Sequence, residues 1–465
     1  MVRGRSATTP RVGLHSAHGR SLAGRRGRRF VRGQTLAVLL PLIAVLLTAF
    51  WWVLEAGEAS IEKQRLRSTA DAAVLAGAVW QAKVQNFDAH TNRAIVANEA
   101  FIGQAISLRG WADYIDHLLP RANLVTAPIP YLGPVITTLQ RSWYAINRAI
   151  QPALLATERA TSALNHEIAA AQRVMHLSVP IVLPQVVRAV VEANDPRYRI
   201  AAGGESQLLD SALAWRDYAS FYGGSFRWRQ LDVVERSMDG FSHERNWSLA
   251  LLPGGPLGRL EKRAGTQLIG FETWRSMDTL AMHQRRYLIF GHMREVGPIA
   301  WAAVENGPRV ASRGLHGGAY ATNPRTARLA EQQMRHGSGY FGLPSMYDLS
   351  TSQRANFDPP VVSVRIALPD EQRRGARSIF GFDSVRGLDD QPHSLHEASG
   401  PNQMIAEAAA TTSFARPVPR ADGARELPSL YSPYWRPRLT RVPLERRLKS
   451  ASLDGDPLWL AAVPR

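Results

Sequence analysis

Residues 35–54 read TLAVLLPLIAVLLTAFWWVL, 20 positions without a charge. An α-helix rises about 1.5 Å per residue and the hydrocarbon core of a bilayer is about 30 Å thick, so about 20 apolar residues suffice to cross it. The run from Thr35 to Leu54 therefore predicts a transmembrane helix. Pro41 falls one to two turns in, where a membrane helix tolerates a kink. Trp51 and Trp52 close the run, at the depth where amphipathic rings favour the headgroup zone. A core helix of a soluble protein would normally show a polar face over this length, and none is present.

Orientation follows from the flanks. Arg3, Arg5, Arg11, Arg20, Arg25, Arg26, Arg28, Arg29 and Arg32 precede the run, and the first acidic residue of the chain is Glu55. Cations accumulate on the cytoplasmic side, so the N-terminus is expected in the cytoplasm and the bulk of the chain outside. A cleaved secretory signal is the main rival, but its apolar region is usually shorter and ends in small residues rather than two tryptophans. A twin-arginine signal at Arg28-Arg29 fits poorly with so apolar a run.

The net charge of +17 needs dividing before it is interpreted. The first 33 residues supply +9, and the remaining +8 is a mild excess that demands no nucleic-acid partner. Arginines alternate with aromatics at Phe226-Arg227-Trp228-Arg229 and at Tyr434-Trp435-Arg436. Such patterns can stack bases, but strand packing or partner contact is the expectation for a body outside the membrane. Cysteine is absent, which excludes disulfides, thiolate metal sites and a cysteine nucleophile.

The expected fold class is α+β. A single N-terminal transmembrane helix continues into a long helical stalk or bundle, followed by a smaller β-containing region with long loops. The expected divisions are a basic cytoplasmic tail (1–33), the transmembrane helix (34–54), an extracytoplasmic helical region (55–203), a mixed region with strands (204–382) and a loop-rich C-terminal region (383–465). Ile61, Leu66, Ala70, Ala73, Val74 and Gly77 recur at helical spacing. The first helix is expected to run to about Leu119 with a break near Asn86 or Gly110, and the prolines from Pro120 to Pro134 to mark a loop. A second helical stretch is expected from about Thr138 to Leu177, interrupted by Pro180 and Pro184 and stopped at Asn194-Asp195-Pro196, with one more short helix over 205–220. Strands are expected at Phe226–Val234, Trp247–Leu252, Thr266–Trp274, Tyr287–Met293, Ala300–Val304 and, most clearly, Val361–Leu368. Residues 306–357 and 384–402 read as loops, and residues 403–410 (QMIAEAAA) favour helix.

No motif assembles an active site. There is no P-loop and no nucleophile elbow; His336-Gly337-Ser338-Gly339 lacks the glycine two places before the serine. His243, His283 and His292 lie near Glu244 and Glu295 without a metal-ligand spacing. His393, His396 and Glu397, and the pair Asp389-Asp390, fall in a loop-like stretch. No cofactor, metal or catalytic residue is expected.

Roughly the first quarter of the chain carries a resemblance. Arg32-Gly33-Gln34, the apolar run, and the string Thr69-Ala70-Asp71-Ala72-Ala73-Val74-Leu75-Ala76-Gly77-Ala78 together resemble the Flp pilus-assembly TadE/TadG-like family. Thr91–Glu99 and Gln104–Leu108 look like the extended N-terminal region of some members, and Tyr434-Trp435-x-x-Arg438-Leu439 is similar to a closing motif. The resemblance implies a bacterial inner-membrane protein serving a Tad-type (Flp) pilus or a related secretion apparatus. It marks Gly33-Gln34 as the junction a prepilin-type peptidase would cut. Such processing usually wants a glutamate five residues into the mature chain, where this chain has Val38. Ala70, Ala73 and Gly77 fall near one helical face, and small side chains let another helix approach closely. That face is expected either to meet other pilus-assembly or envelope proteins, or copies of the chain, or to pack within the chain's own bundle. The other partner is the lipid bilayer. The rival from another class is a membrane-tethered periplasmic enzyme.

Overall fold

A computed structural model describes residues 34–221, 227–251, 258–285, 292–311, 314, 316–349, 359–373, 403–424 and 426–453. The chain divides between Ser60 and Ile61 into two units. The first helix, α1 (Gln34–Thr126), contributes its start to the first unit and the rest to the second. In the first unit α1 is apolar and bare. Val38, Leu42, Val45, Leu46, Phe50, Trp52 and Val53 are all exposed.

The second unit is built on a helical hairpin. Its other arm is α2 (Leu132–Asn194). Side-chain bonds pair the arms antiparallel: Asn147 with Asp113, Arg109 with Glu158, Asn98 with Asn165 and Thr91 with Gln172. Both helices outlast their expected breaks. Gly110 does not end α1; α1 presses close to a sheet there, and a Cβ would lie 2.7 Å from Ser276 Oγ. Asn86 does not break it either, because its side chain bonds another segment rather than its own turn. Pro120 lies inside α1, and Pro152, Pro180 and Pro184 inside α2. Each interior proline removes a backbone bond. Burial of Val179, Leu183, Val187 and Val191 along one stripe keeps α2 helical through the last two. The helix stops at Asp195, as the Asn-Asp-Pro sequence requires.

The remainder is α+β. The further helices are α3 (Ala202–Tyr218), α4 (Arg227–Arg236), α5 (Gly240–His243), α6 (Ala319–Thr322), α7 (Pro324–Gln332) and α8 (Leu444–Leu453). The strands are β1 (Arg199–Ile200), β2 (Ala219–Phe221), β3 (Trp247–Ala250), β4 (Arg259–Ile269), β5 (Thr273–Arg285), β6 (Met293–Asn306), β7 (Arg335–Gly337), β8 (Tyr347–Leu349), β9 (Val361–Pro369), β10 (Gln403–Phe414) and β11 (Trp435–Thr440). They form an antiparallel sheet ordered β1-β9-β10-β11, a pair β2-β8, and a sheet ordered β3-β4-β5-β6-β7 whose β6–β7 edge is parallel. Pro298 sits in β6 opposite Ala281, at a register irregularity, where a missing N–H is tolerated.

Four sequence expectations are corrected here. Residues 403–410 are strand, not helix, because β10 is paired on both edges and buried on both faces, which overrides the alanine preference. The strand expected at Phe226–Val234 is helix from Arg227 on, Phe226 lying outside the described residues; α4 buries Leu231 and Val234 at i, i+3. Thr266–Trp274 contains a hairpin turn at Gly270 and Phe271, both with left-handed φ. Within 306–357, expected as loop, lie α6, α7, β7 and β8. The strand at Val361–Leu368 and the helix over 205–220 are present. Most of Tyr287–Met293, the segment 384–402 with Asp389, Asp390, His393, His396 and Glu397, and residues 1–33 lie outside the described residues.

Candidate functional site

Gly33 lies outside the described residues, and Gln34 and Thr35 open α1. Leu54 is about half exposed in the first unit. The small-residue face lies in the second. Ala70 and Ala73 are fully buried. A Cβ on Gly77 would lie 3.0 Å from Val362 Cγ1 on β9 and 3.4 Å from Val187 Cγ2 on α2. The face is thus occupied by the chain's own sheet and second helix. Of the two readings left open, packing within the chain's own fold is the one these contacts match: small residues allow a close approach, and β9 makes it. Gly77→Val would push two further methyl groups into that contact. It is expected to cost about 1–3 kcal/mol, read as a lowered thermal midpoint. Gly57→Ala is the control, since nothing lies within 4 Å of a Cβ there.

Further along α1 the helix turns polar on its buried side. Gln81, Gln85, Asp88, Asn92 and Glu99 follow one another at spacings of three, four and seven, and all are buried. Such a stripe in sequence alone suggests a solvated face. Here the β-layers and α2 cover it, and two of its side chains, Asn92 and Glu99, hold neighbouring segments. Asn92 Nδ2 donates to the carbonyls of Tyr347 and Leu430, each at 2.8 Å. Asn86 exchanges two bonds of 3.0 Å with the backbone of Trp435, so the Tyr-Trp-x-x-Arg-Leu segment is clamped onto the first helix. Glu99 accepts from Asn165 Nδ2 (2.9 Å), Trp274 Nε1 (3.0 Å) and Tyr340 Oη (2.8 Å). Burial pushes its carboxyl up to about 7 despite these three donors. The signal for these residues was their period, but nothing in the sequence said what would cover them.

A second polar centre lies beside Gly110. Asp278 on β5 is fully buried and receives Lys262 Nζ at 2.7 Å and Arg245 Nη2 at 2.8 Å. Burial alone would raise its pKa. Attraction to Arg245 and Lys262, with the bonds from both, prevails and holds it at about 2. Burial lowers Lys262 to about 8, against the opposing pull of Asp278. The ammonium also sits 3.1 Å from the centre of the Tyr114 ring, an attraction to the face of the aromatic. Arg109–Glu158 at 2.9 Å ties the two arms of the hairpin together.

Two cavities flank α1 at 111–120. One, of about 500 Å³, is lined by Asp113, Asp116, His117, Tyr144, Trp301 and Arg335 among others. The other, of about 570 Å³, includes Trp111, Tyr114, Phe241, Arg245 and Lys262. Their charges serve the scaffold: Asp113 Oδ1 accepts from Asn147 and Gln151 and pairs with Arg335. The histidines singled out in sequence are placed in separate contacts. His283 Nε2 meets Asn323 Oδ1 at 2.8 Å, and His336 Nδ1 meets Glu305 at 3.2 Å. Glu295 caps α7, accepting from the N–H groups of Arg325 and Thr326. Among the described residues no three His, Cys, Asp or Glu side chains gather as metal ligands.

No curated protein and no solved structure matches the chain. Residues 33–81, from the start of the apolar run through the small-residue face, match the family model Tad, putative Flp pilus-assembly TadE/G-like, a pilus-assembly family and not an enzyme family.

Proposed function

We propose that this chain is a non-enzymatic, single-pass inner-membrane protein that assists assembly or anchoring of a Tad-type (Flp) pilus or a related secretion apparatus. The observation that carries the proposal is the family match over 33–81 falling on a helix whose first part is apolar and uncovered. The match by itself supports a role related to pilus assembly in a membrane-associated envelope protein. In this reading lipid covers the side chains from Val38 to Leu54, at roughly 25 cal/mol for each Å² of apolar surface withdrawn from water. Residues 1–33 stay cytoplasmic and hold the topology through their arginines. Val38 in place of the usual glutamate favours a chain left uncut at Gly33-Gln34. Pilus or envelope partners then dock on surfaces other than the Ala70–Gly77 face.

Reporter fusions test the topology. A phosphatase joined after Arg465 should be active and a cytoplasmic reporter there silent; the reverse overturns the orientation. Deleting residues 38–54 should move the protein from the membrane to the soluble fraction. Loss of the whole gene should impair piliation or pilus-dependent adhesion, and unchanged piliation, adhesion and secretion would end the pilus assignment.

A further inference from the structure

The turn of the α1–α2 hairpin presents an apolar surface that no described residue of the second unit covers. Leu124 is 80% exposed, Val125 73%, Tyr131 90% and Val135 61%, with Leu139 close to half exposed. A polar chain end would be expected at such a site. We infer that this tip, residues 121–148, is a docking surface for an anionic lipid bilayer.

Three observations select that occupant. The first is charge. Residues 117–157 contain no aspartate or glutamate, but carry Arg121, Arg141 and Arg148. Arg121 stacks over Trp301 at 4.2 Å, whereas Arg141 and Arg148 are exposed. Arg141 borders the cavity that also holds Asp113 and Asp116, while Arg148 lies outside it; apolar side chains beside exposed cations match the interfacial layer of an anionic membrane. The second is backbone. Pro128, Pro130 and Pro134 have no N–H to strand, and the N–H groups of Ala127, Ile129 and Gly133 bond to Asn123, Thr126 and Ile129 within the turn. Those six positions present no free donor, which lowers the desolvation cost of entering the headgroup boundary. The third is strain. Tyr131 has φ 67 and ψ −33, a conformation side chains rarely adopt, and its ring gains no burial in return. The fold holds an aromatic outward at an energetic penalty, as is common where a residue serves binding. Tyrosine is among the residues enriched at the membrane–water interface.

The test exploits the absence of cysteine. The full-length protein, Ala127→Cys, carries one environment-sensitive fluorophore at the tip and is kept in amphipol. Vesicles of phosphatidylcholine with phosphatidylglycerol should shift its emission to the blue, with an effect that weakens as salt is raised; pure phosphatidylcholine should not. Arg141→Gln with Arg148→Gln should weaken vesicle affinity by about tenfold or more, since each arginine near an anionic surface contributes about 1 kcal/mol, or about fivefold. Tyr131→Gly should also weaken it while leaving the thermal midpoint equal or higher, because glycine accepts a positive φ. That variant separates binding from folding. The inference is overturned by no shift on anionic vesicles, by an equal shift on neutral ones, or by indifference to the paired arginine change. A lipid-independent shift that grows with protein concentration would instead identify a second copy as the occupant and equally overturn it.

Discussion

Asp278→Asn is expected to destabilise the second unit by about 3–5 kcal/mol, because it leaves two buried cations without their anion. Lys262 and Arg245 both point at this one carboxylate, 2.7 and 2.8 Å away, and all three side chains are almost fully enclosed. Asparagine keeps the shape and loses the charge, so Lys262 would have to release its proton in the folded state. Urea or thermal unfolding followed by circular dichroism reads the loss. The contrast is Glu205→Gln, which breaks the half-exposed pair with Arg188 and should cost less than about 1 kcal/mol. Equal, small effects from both substitutions would show that the Asp278 centre does not carry the packing of α1 against β4 and β5.

Stability should also depend on pH through Glu99. Its carboxyl titrates near 7 in the fold, above the ordinary value of 4.5. Between those values the folded chain holds a proton that the unfolded chain has released. The stabilisation is therefore complete below about pH 4.5 and is lost as pH rises through 7, a loss of roughly 3 kcal/mol. His316 works the other way. Burial holds it at about 3, so its folded form is neutral where the unfolded one is charged, and its contribution rises up to about pH 6.5. The net slope is a sum of both, and Glu99→Gln isolates the first. The variant should have a lower baseline, since its amide faces the donors of Trp274 and Tyr340 on one side. The difference between wild type and variant should shrink from pH 5 to pH 8. A difference independent of pH would show that Glu99 is ionised throughout.

Much of the helical half was legible in sequence because its signals are local. Length without charge marked the apolar run, period marked Leu66, Ala70, Ala73 and Gly77 as one face, and Asn-Asp-Pro marked the end of α2. The prolines misled. A proline costs a helix one backbone bond, and whether that loss ends the helix depends on how much surface the following turns bury. For Pro180 and Pro184 the answer lies with Val187 and Val191, which pack on partners distant in sequence. The alanines of β10 misled in the same way: their intrinsic preference is weak, and pairing to β9 and β11 outweighs it.

The candidate site divides along the same line. The residues of the Tad match are contiguous, so their order alone identifies them. The polar stripe from Gln81 to Glu99 was visible as a period but not as an interior, because a helix face becomes core only when something covers it. Asn86 and Trp435 are 349 positions apart, yet share two hydrogen bonds. By itself the sequence determined the uncharged 20-residue run, the arginine asymmetry around it, the lack of cysteine and the small-residue face. Only the tertiary structure decided that this face is filled by Val362 and Val187, that Asp278 sits between two cations, and that the hairpin tip stays bare. Local composition sets which faces a helix can bury, and long-range packing chooses which of them it does.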